Sequence, residues 1–432
     1  MSSSESEISR KRKYGKTYTS SSSDHEISRK RKHGKTYSSS PCSSSDSEST
    51  DDSTSHPTKK PSTLSSAWTI EDLNLQSVFF AAENLPMETL ISLLKKRRDL
   101  EDVPKIVNTL IGFTKECLNF TIDESMWQMC DLTVRPEQEK GIETLINAKK
   151  HVRIFANKIR SEEAQLLDEE PINRELFERW YCKVVDFIDQ AIQLLNLLIN
   201  EALDNIEHKK KTSQLHIKEG SFTYLLMKFT EICFLSPEPG IGARTDLWIR
   251  NKRVGCLPNI RYWQQTSMPS RNILIMLAEV KTAAFRNSEH TEESEVSKSE
   301  DTISACTIEN TTSSSDEKKP NKAPWIHSKV QPDVLAQLGC EMLAECHNSI
   351  FVPEILGIMC MKTKVIFNYL QLSNKHFMAI KRSEDIVNMR SHIQYTQLFD
   401  IMKADHRNEL LDLLFWLGCV QKKGLQNHYI LS

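Results

Sequence analysis

None of the 11 cysteines forms a C-x-x-C pair, and their spacings make no even framework. That points away from a disulfide scaffold and towards reduced thiols in an intracellular compartment. There is no G-x-x-x-x-G-K-[ST] phosphate loop and no G-x-S-x-G nucleophile turn. Pro239-Gly240-Ile241-Gly242 reads only as a loop. Cys340, Cys346 and His347 fall on one predicted helix at a spacing that suits no ordinary zinc knuckle. Long apolar runs are missing too. The most apolar helical stretch, residues 184–206, carries Asp186, Asp189, Gln190, Gln193, Asn196 and Asn200, so it is amphipathic and no membrane span is expected. The N-terminus has no apolar segment of the secretory kind, so secretion is not expected.

The 432 residues exceed one ordinary domain, and the net charge of -2 hides strong local asymmetry. Residues 1–66 are Ser, Thr and charged side chains with too little apolar surface to offset the entropy of ordering, which predicts a disordered tail. It holds a repeat: EISRKRKYGKTYTSS from Glu7 recurs as EISRKRKHGKTYSSS from Glu26. The RKRK blocks Arg10–Lys13 and Arg29–Lys32 suit the acidic groove of a nuclear import receptor or a phosphate backbone, the alternative being a solvated basic run. A nuclear location follows from the first option and a cytoplasmic one from the last. Serines beside acidic residues would counter these blocks if phosphorylated.

Residues 67–217 show helical periodicity interrupted by Pro86, Pro104, Pro136 and Pro171. Within residues 175–207, Val184, Ile188, Ala191, Ile192, Leu195, Leu198, Ile199, Ala202 and Ile206 make one stripe, a core or helical-partner surface with no chemical constellation. The period then shifts. Residues 218–233 predict a helix, residues 243–249 a strand, and RNKR at 250–253 a hairpin turn. Residues 286–324 read as a disordered acidic insertion. A helix over 332–347, strands over 355–361 and 365–372, and a helical segment over 384–419 capped by LLDLLFWLGCV complete the chain.

The stretch NILIMLAEVKTA, residues 272–283, organises this order. Its uninterrupted Ile, Leu and Met predict a strand buried on both faces. Glu279 and Lys281 then fall on one face at its end, with Val280 pointing the other way. Two such charges cost desolvation unless something compensates. They are either a salt-bridged strand end or part of a site.

Thr245-Asp246 followed by Glu279-Val280-Lys281, with a helix before and a helix after, resembles the PD-(D/E)xK nuclease superfamily over residues 218–380. The resemblance implies a mixed α/β fold: a restriction-endonuclease-like αβββαβ core over 218–382, preceded by a helical domain and the tail, and followed by a C-terminal helical segment, 383–432, packed on the core. It implies a nucleic-acid substrate, DNA rather than RNA, and a site with Mg2+ or Mn2+ held by Asp246, Glu279 and the carbonyl of Val280, with Lys281 beside the attacking water. Hard cations choose carboxylate oxygens, and phosphodiester hydrolysis adds charge to an anion, which such a cation and an ammonium stabilise. The family also places a Glu on the first helix and in some members a Gln on the helix after ExK. Glu219, on the stripe of Phe222, Leu226 and Phe229, is the candidate for the first, or else a residue placed by the helix dipole. Gln337, at the edge of the stripe of Val334, Leu338 and Met342, is the candidate for the second, or else a surface residue. Two departures stand out: the family's Pro before Asp is Thr245 here, and the acidic insertion after Lys281 is long. Trp248, Arg250, Lys252 and Arg253 form an aromatic and basic edge that suits phosphates, or a solvated hairpin tip. The same residues fit a second class of protein, a catalytically silent nuclease fold used for nucleic-acid or protein interaction.

Overall fold

The computed structural model describes residues 63–97, 103–127, 135–162, 171–207, 219–240, 244–249, 252–264, 273–283 and 323–422. Both RKRK blocks, Arg250 and nearly all of the acidic insertion lie outside them. The described residues belong to one compact unit, and no helix among them is long and apolar enough to cross a membrane.

The unit opens with β1 (Thr63–Leu64), a 3-10 turn over Ser65–Ala67, α1 (Ile70–Leu75) and β2 (Val78–Phe80). Helices α2 (Met87–Arg97), α3 (Lys105–Cys117), α4 (Arg135–Glu162), α5 (Pro171–Glu207) and α6 (Glu219–Ile232) come after it. Next are β3 (Glu238–Pro239), β4 (Thr245–Ile249), β5 (Lys252–Cys256), β6 (Ile260–Gln264) and β7 (Ile273–Lys281). The remainder is α7 (Trp325–Lys329), α8 (Pro332–Glu345), β8 (Ile355–Met361), β9 (Lys364–Gln371), α9 (Asn374–Arg382), β10 (Ser391–Tyr395), β11 (Phe399–Asp400) and α10 (Ala404–Lys422).

The fold is mixed α/β around a mixed sheet in the order β2-β10-β9-β8-β7-β6-β3, with β11 on β9. β7 sits between β6, antiparallel to it, and β8, parallel to it across the α8 crossover. Its buried run and the wholly buried ILGIMCM of β8 lack polar alternation because helices cover both faces of the sheet. On one face Val280, Ala278 and Met276 share a core with α5, α6 and α10. On the other Leu277 and Met359 share a core with α8 and α1. The register skips between Tyr262 and Trp263 of β6, leaving Ile275 as an extra residue in β7. This bulge reverses the facing of the strand beyond it, so it sets which side Glu279 and Lys281 take.

Four features differ from the sequence expectations. Thr63–Ser65, inside the stretch read as a disordered tail, form β1 and the start of a 3-10 turn, with Ser65 buried. Val78–Phe80, inside the region read as helical, pairs parallel with β10 and joins the main sheet. In residues 383–432, β10 precedes the terminal helix. Its Ser391, Ile393 and Tyr395 are buried while His392 and Gln394 are half-buried, a period of two too short to register within a helical reading. The hairpin carrying Asp246 is not in the main sheet at all. β4 and β5 form a separate three-stranded sheet with β1, and the neighbour of β7 is β6, a strand the periodicity missed.

Candidate active site

Three other elements converge on the end of β7. Because β7 is a central strand, Glu279 enters the α8 side of the sheet with 1% of its side chain exposed, while Lys281, two residues nearer the edge, keeps 23%. The Lys281 ammonium lies 2.6 Å from Glu279 Oε1 and 3.5 Å from Glu219 Oε2. Glu219 arrives on the first residue of α6, whose Phe222, Leu225, Leu226 and Phe229 are buried and fix its rotation. From α8, Gln337 donates through Nε2 to Glu279 Oε1 at 2.7 Å and to Glu341 Oε1 at 3.1 Å.

Asn259, directly before β6, completes the ring. Extending the antiparallel register by one residue from Ile260–Ala278 sets it opposite Glu279. Its Oδ1 accepts from the Val280 backbone N–H at 2.7 Å, and its Nδ2 donates to Glu219 Oε1 at 2.6 Å. It thus braces α6, β6 and β7 together. The sequence signal was Pro258-Asn259 at the entrance to IRYW, which carries no charge and so escapes a reading centred on carboxylates.

The electrostatics are lopsided. Three carboxyl groups, Glu219, Glu279 and Glu341, surround one ammonium. Burial pushes the Glu279 carboxyl up, and Lys281 only partly offsets this. Glu341, fully buried, is raised far above the usual carboxylate range by burial and then by the charge on Glu279. For Lys281 burial opposes the charge, but Glu279 and Glu219 outweigh it and its pKa is raised. One oxygen of each inner carboxyl, Oε2 of Glu279 and Oε2 of Glu341, is buried without a hydrogen-bond partner.

Thus Glu219, Glu279, Lys281 and Gln337 come together, with the Val280 N–H tied to Asn259 and the Val280 side chain in the opposite core. Asp246 does not join them. On β4 its carboxylate is bound by Arg253 and lies 3.1 Å from Arg244, and these guanidinium groups hold its pKa down, the Arg253 hydrogen bond being the largest cause. Thr245, its half-buried neighbour, instead donates to Glu345, which also forms a buried pair with Arg261 of β6 at 2.7 Å. In the basic edge of the same hairpin Trp248 is exposed, while Arg253 is engaged by Asp246.

Among the described residues no three His, Cys, Asp or Glu side chains form a ready-made metal cluster. Two carboxylates remain sufficient for Mg2+, which keeps several waters and binds through one or two protein carboxylates. The orphaned Glu279 oxygen and the excess of carboxyl over ammonium fit a cation at this point. The α1–β2–β10 edge holds a groove of about 420 Å³ lined by Phe79, His327, Arg390 and His392, but no carboxylate pair. No protein-family model, curated protein or solved structure matches the chain.

Proposed function

We propose that the chain is a metal-dependent nuclease-like protein with a restriction-endonuclease-like core, hydrolysing phosphodiester bonds of nucleic acid. The core elements are α6, β6, β7, α8 and β8. The observation that carries this reading is the convergence of Glu219, Glu279, Lys281 and Gln337, from three separate elements, on one buried carboxylate. Such pKa-shifting surroundings are typical of functional sites.

In this reading Glu279 and Glu219 hold Mg2+ or Mn2+, with the Val280 carbonyl as the further oxygen that the PD-(D/E)xK resemblance implies. The cation supplies positive charge against the developing oxyanion and lowers the pKa of its water. Lys281, at the mouth, donates hydrogen bonds to the attacking water or to the phosphate oxygens as charge builds. Gln337 keeps Glu279 turned towards that point. Asp246 drops out of the ligand set, and Asn259 stands on the strand beside ExK where the family's Asp would be. Delivery to the nucleus by the RKRK blocks and partner contacts by the helical region belong to the same proposal.

Asn259 favours a second reading, a nuclease fold without catalysis that binds nucleic acid or protein. Both of its amide atoms are used in bracing, so it adds no ligand charge. The two readings separate in one assay: the full chain, with Mg2+ or Mn2+, on single- and double-stranded DNA and RNA. Cleavage that disappears in Lys281→Ala supports the enzyme. No cleavage by the wild type, with activity appearing in Asn259→Asp, supports the silent fold.

A further inference from the structure

Glu341 lies one turn after Gln337 on α8, with no exposed surface. A buried carboxyl needs donors, and it has two, both on Oε1: the Gln337 amide at 3.1 Å and the Ser65 hydroxyl at 3.1 Å. Ser65 comes directly after β1, which runs parallel to β5 through Thr63–Val254 and Leu64–Gly255, so the chain entering the core is seated against this carboxyl. Packing alone does not account for such a group. A buried carboxyl with one orphaned oxygen is less favourable than an apolar side chain of the same size.

The Gln337 amide has two N–H bonds, and the geometry gives one to Glu341 and one to Glu279. Only the nitrogen end can donate to both, so Glu341 and Glu279 together fix which end of the amide faces the site. Without Glu341 the second N–H of this half-buried amide would lose its acceptor, and the bond to Glu279 alone would hold the side chain. Glu279 Oε1 would then have one of its two donors less firmly placed. We infer that Glu341 is a positioning residue: acting through Gln337, it holds Glu279 Oε1 between Gln337 and Lys281 and leaves Glu279 Oε2 open to a cation. The last clause rests on the site proposed above. The first does not.

Two measurements on the full chain test it. The first is the side-chain amide signal of Gln337 in 15N-resolved NMR, assigned by its disappearance in Gln337→Leu. In Glu341→Gln the carbonyl oxygen still accepts, so the signal stays put and stays protected from solvent exchange. In Glu341→Leu it moves towards that of an unrestrained glutamine and exchanges faster. The second is Mn2+ titration: Glu341→Leu weakens binding by about 10- to 100-fold, as loss of a ligand-orienting partner does. Glu341→Gln leaves binding close to wild type, and Gln337→Leu with Glu341→Leu together do no more than either alone. An unmoved Gln337 signal in Glu341→Leu overturns the positioning role, as do additive losses in the double variant. A wild type that takes up no Mn2+ overturns the cation site while the amide signal still decides the role of Glu341. If Glu341→Leu does not fold, Glu341→Met, unbranched at Cβ and Cγ like glutamate, serves in its place.

Discussion

Replacing Lys281 by Met removes the ammonium that compensates Glu279 and leaves a carboxylate with 1% exposure. A charge so placed does not stay unpaired; it takes up a proton instead. The cost is therefore bounded by the work of protonating a carboxyl that would be ionised in the unfolded chain. With an unfolded Glu pKa of about 4.3, this is about 1.36 × (7 − 4.3), or roughly 3.7 kcal/mol, at pH 7, and about 1 kcal/mol at pH 5. The sign comes from the raised folded pKa: the neutral form is favoured in the folded protein, so stability falls as pH rises above the unfolded value. The reverse deletion, Glu279→Gln, leaves Lys281 at the partly open mouth with Glu219 still 3.5 Å away, and costs about 1 kcal/mol. The double variant Glu279→Gln with Lys281→Met recovers most of the Lys281→Met loss, because the neutral amide needs no counter-charge. Urea unfolding followed by tryptophan fluorescence at both pH values measures all three. A Lys281→Met cost below about 1 kcal/mol at pH 7, or one unchanged at pH 5, would refute the picture of a buried carboxyl compensated by this one lysine.

Asp246→Ala leaves Mn2+ binding unchanged and lowers stability by no more than about 1 kcal/mol, since its arginine partners are partly exposed; titration and thermal melting check this. His376, 1% exposed, bonds Ser391 at 2.7 Å and the Gln76 carbonyl at 2.9 Å, and burial holds its pKa down. The folded protein therefore favours the neutral ring, and stability falls as pH drops below the ordinary histidine value of about 6.5. In His376→Gln that part of the pH dependence is lost, which melting curves between pH 5 and 8 will show. Gly418 on α10 lies so close to the end of α6 that a Cβ would sit 1.9 Å from the Cys233 carbonyl oxygen. Gly418→Ala is expected to destabilise by about 3 kcal/mol or more, measured by urea unfolding.

The strongest local patterns were legible in the chain. An apolar run over 273–281 that ends in two charges read as a central strand, and in a strand alternation fixes the facing of Glu279 and Lys281 relative to each other. The stripe that rotates α6 likewise carried Glu219 inwards, and the place of Gln337 after one turn of α8 carried it to the same point. These are consequences of periods of 2.0 and 3.6, which depend only on near neighbours. Strand adjacency is not of that kind. Asp246 stands in a strand as good as any by composition, yet β4 pairs with β5 and β1 while β6 takes the place beside β7, a choice made by hydrogen bonding between residues far apart in sequence. Short elements were also beyond reach: three residues of β2 and five of β10 carry too little periodicity to outvote helical surroundings, and they form strands because the sheet edge offers them partners. The sequence alone therefore determined that a buried glutamate and a lysine end one central strand. Tertiary structure decided what surrounds them: Asn259 rather than Asp246 beside the pair, and the seating of Ser65 against α8 that buries Glu341. Both arise from long-range packing of strand and helix, which no local pattern records.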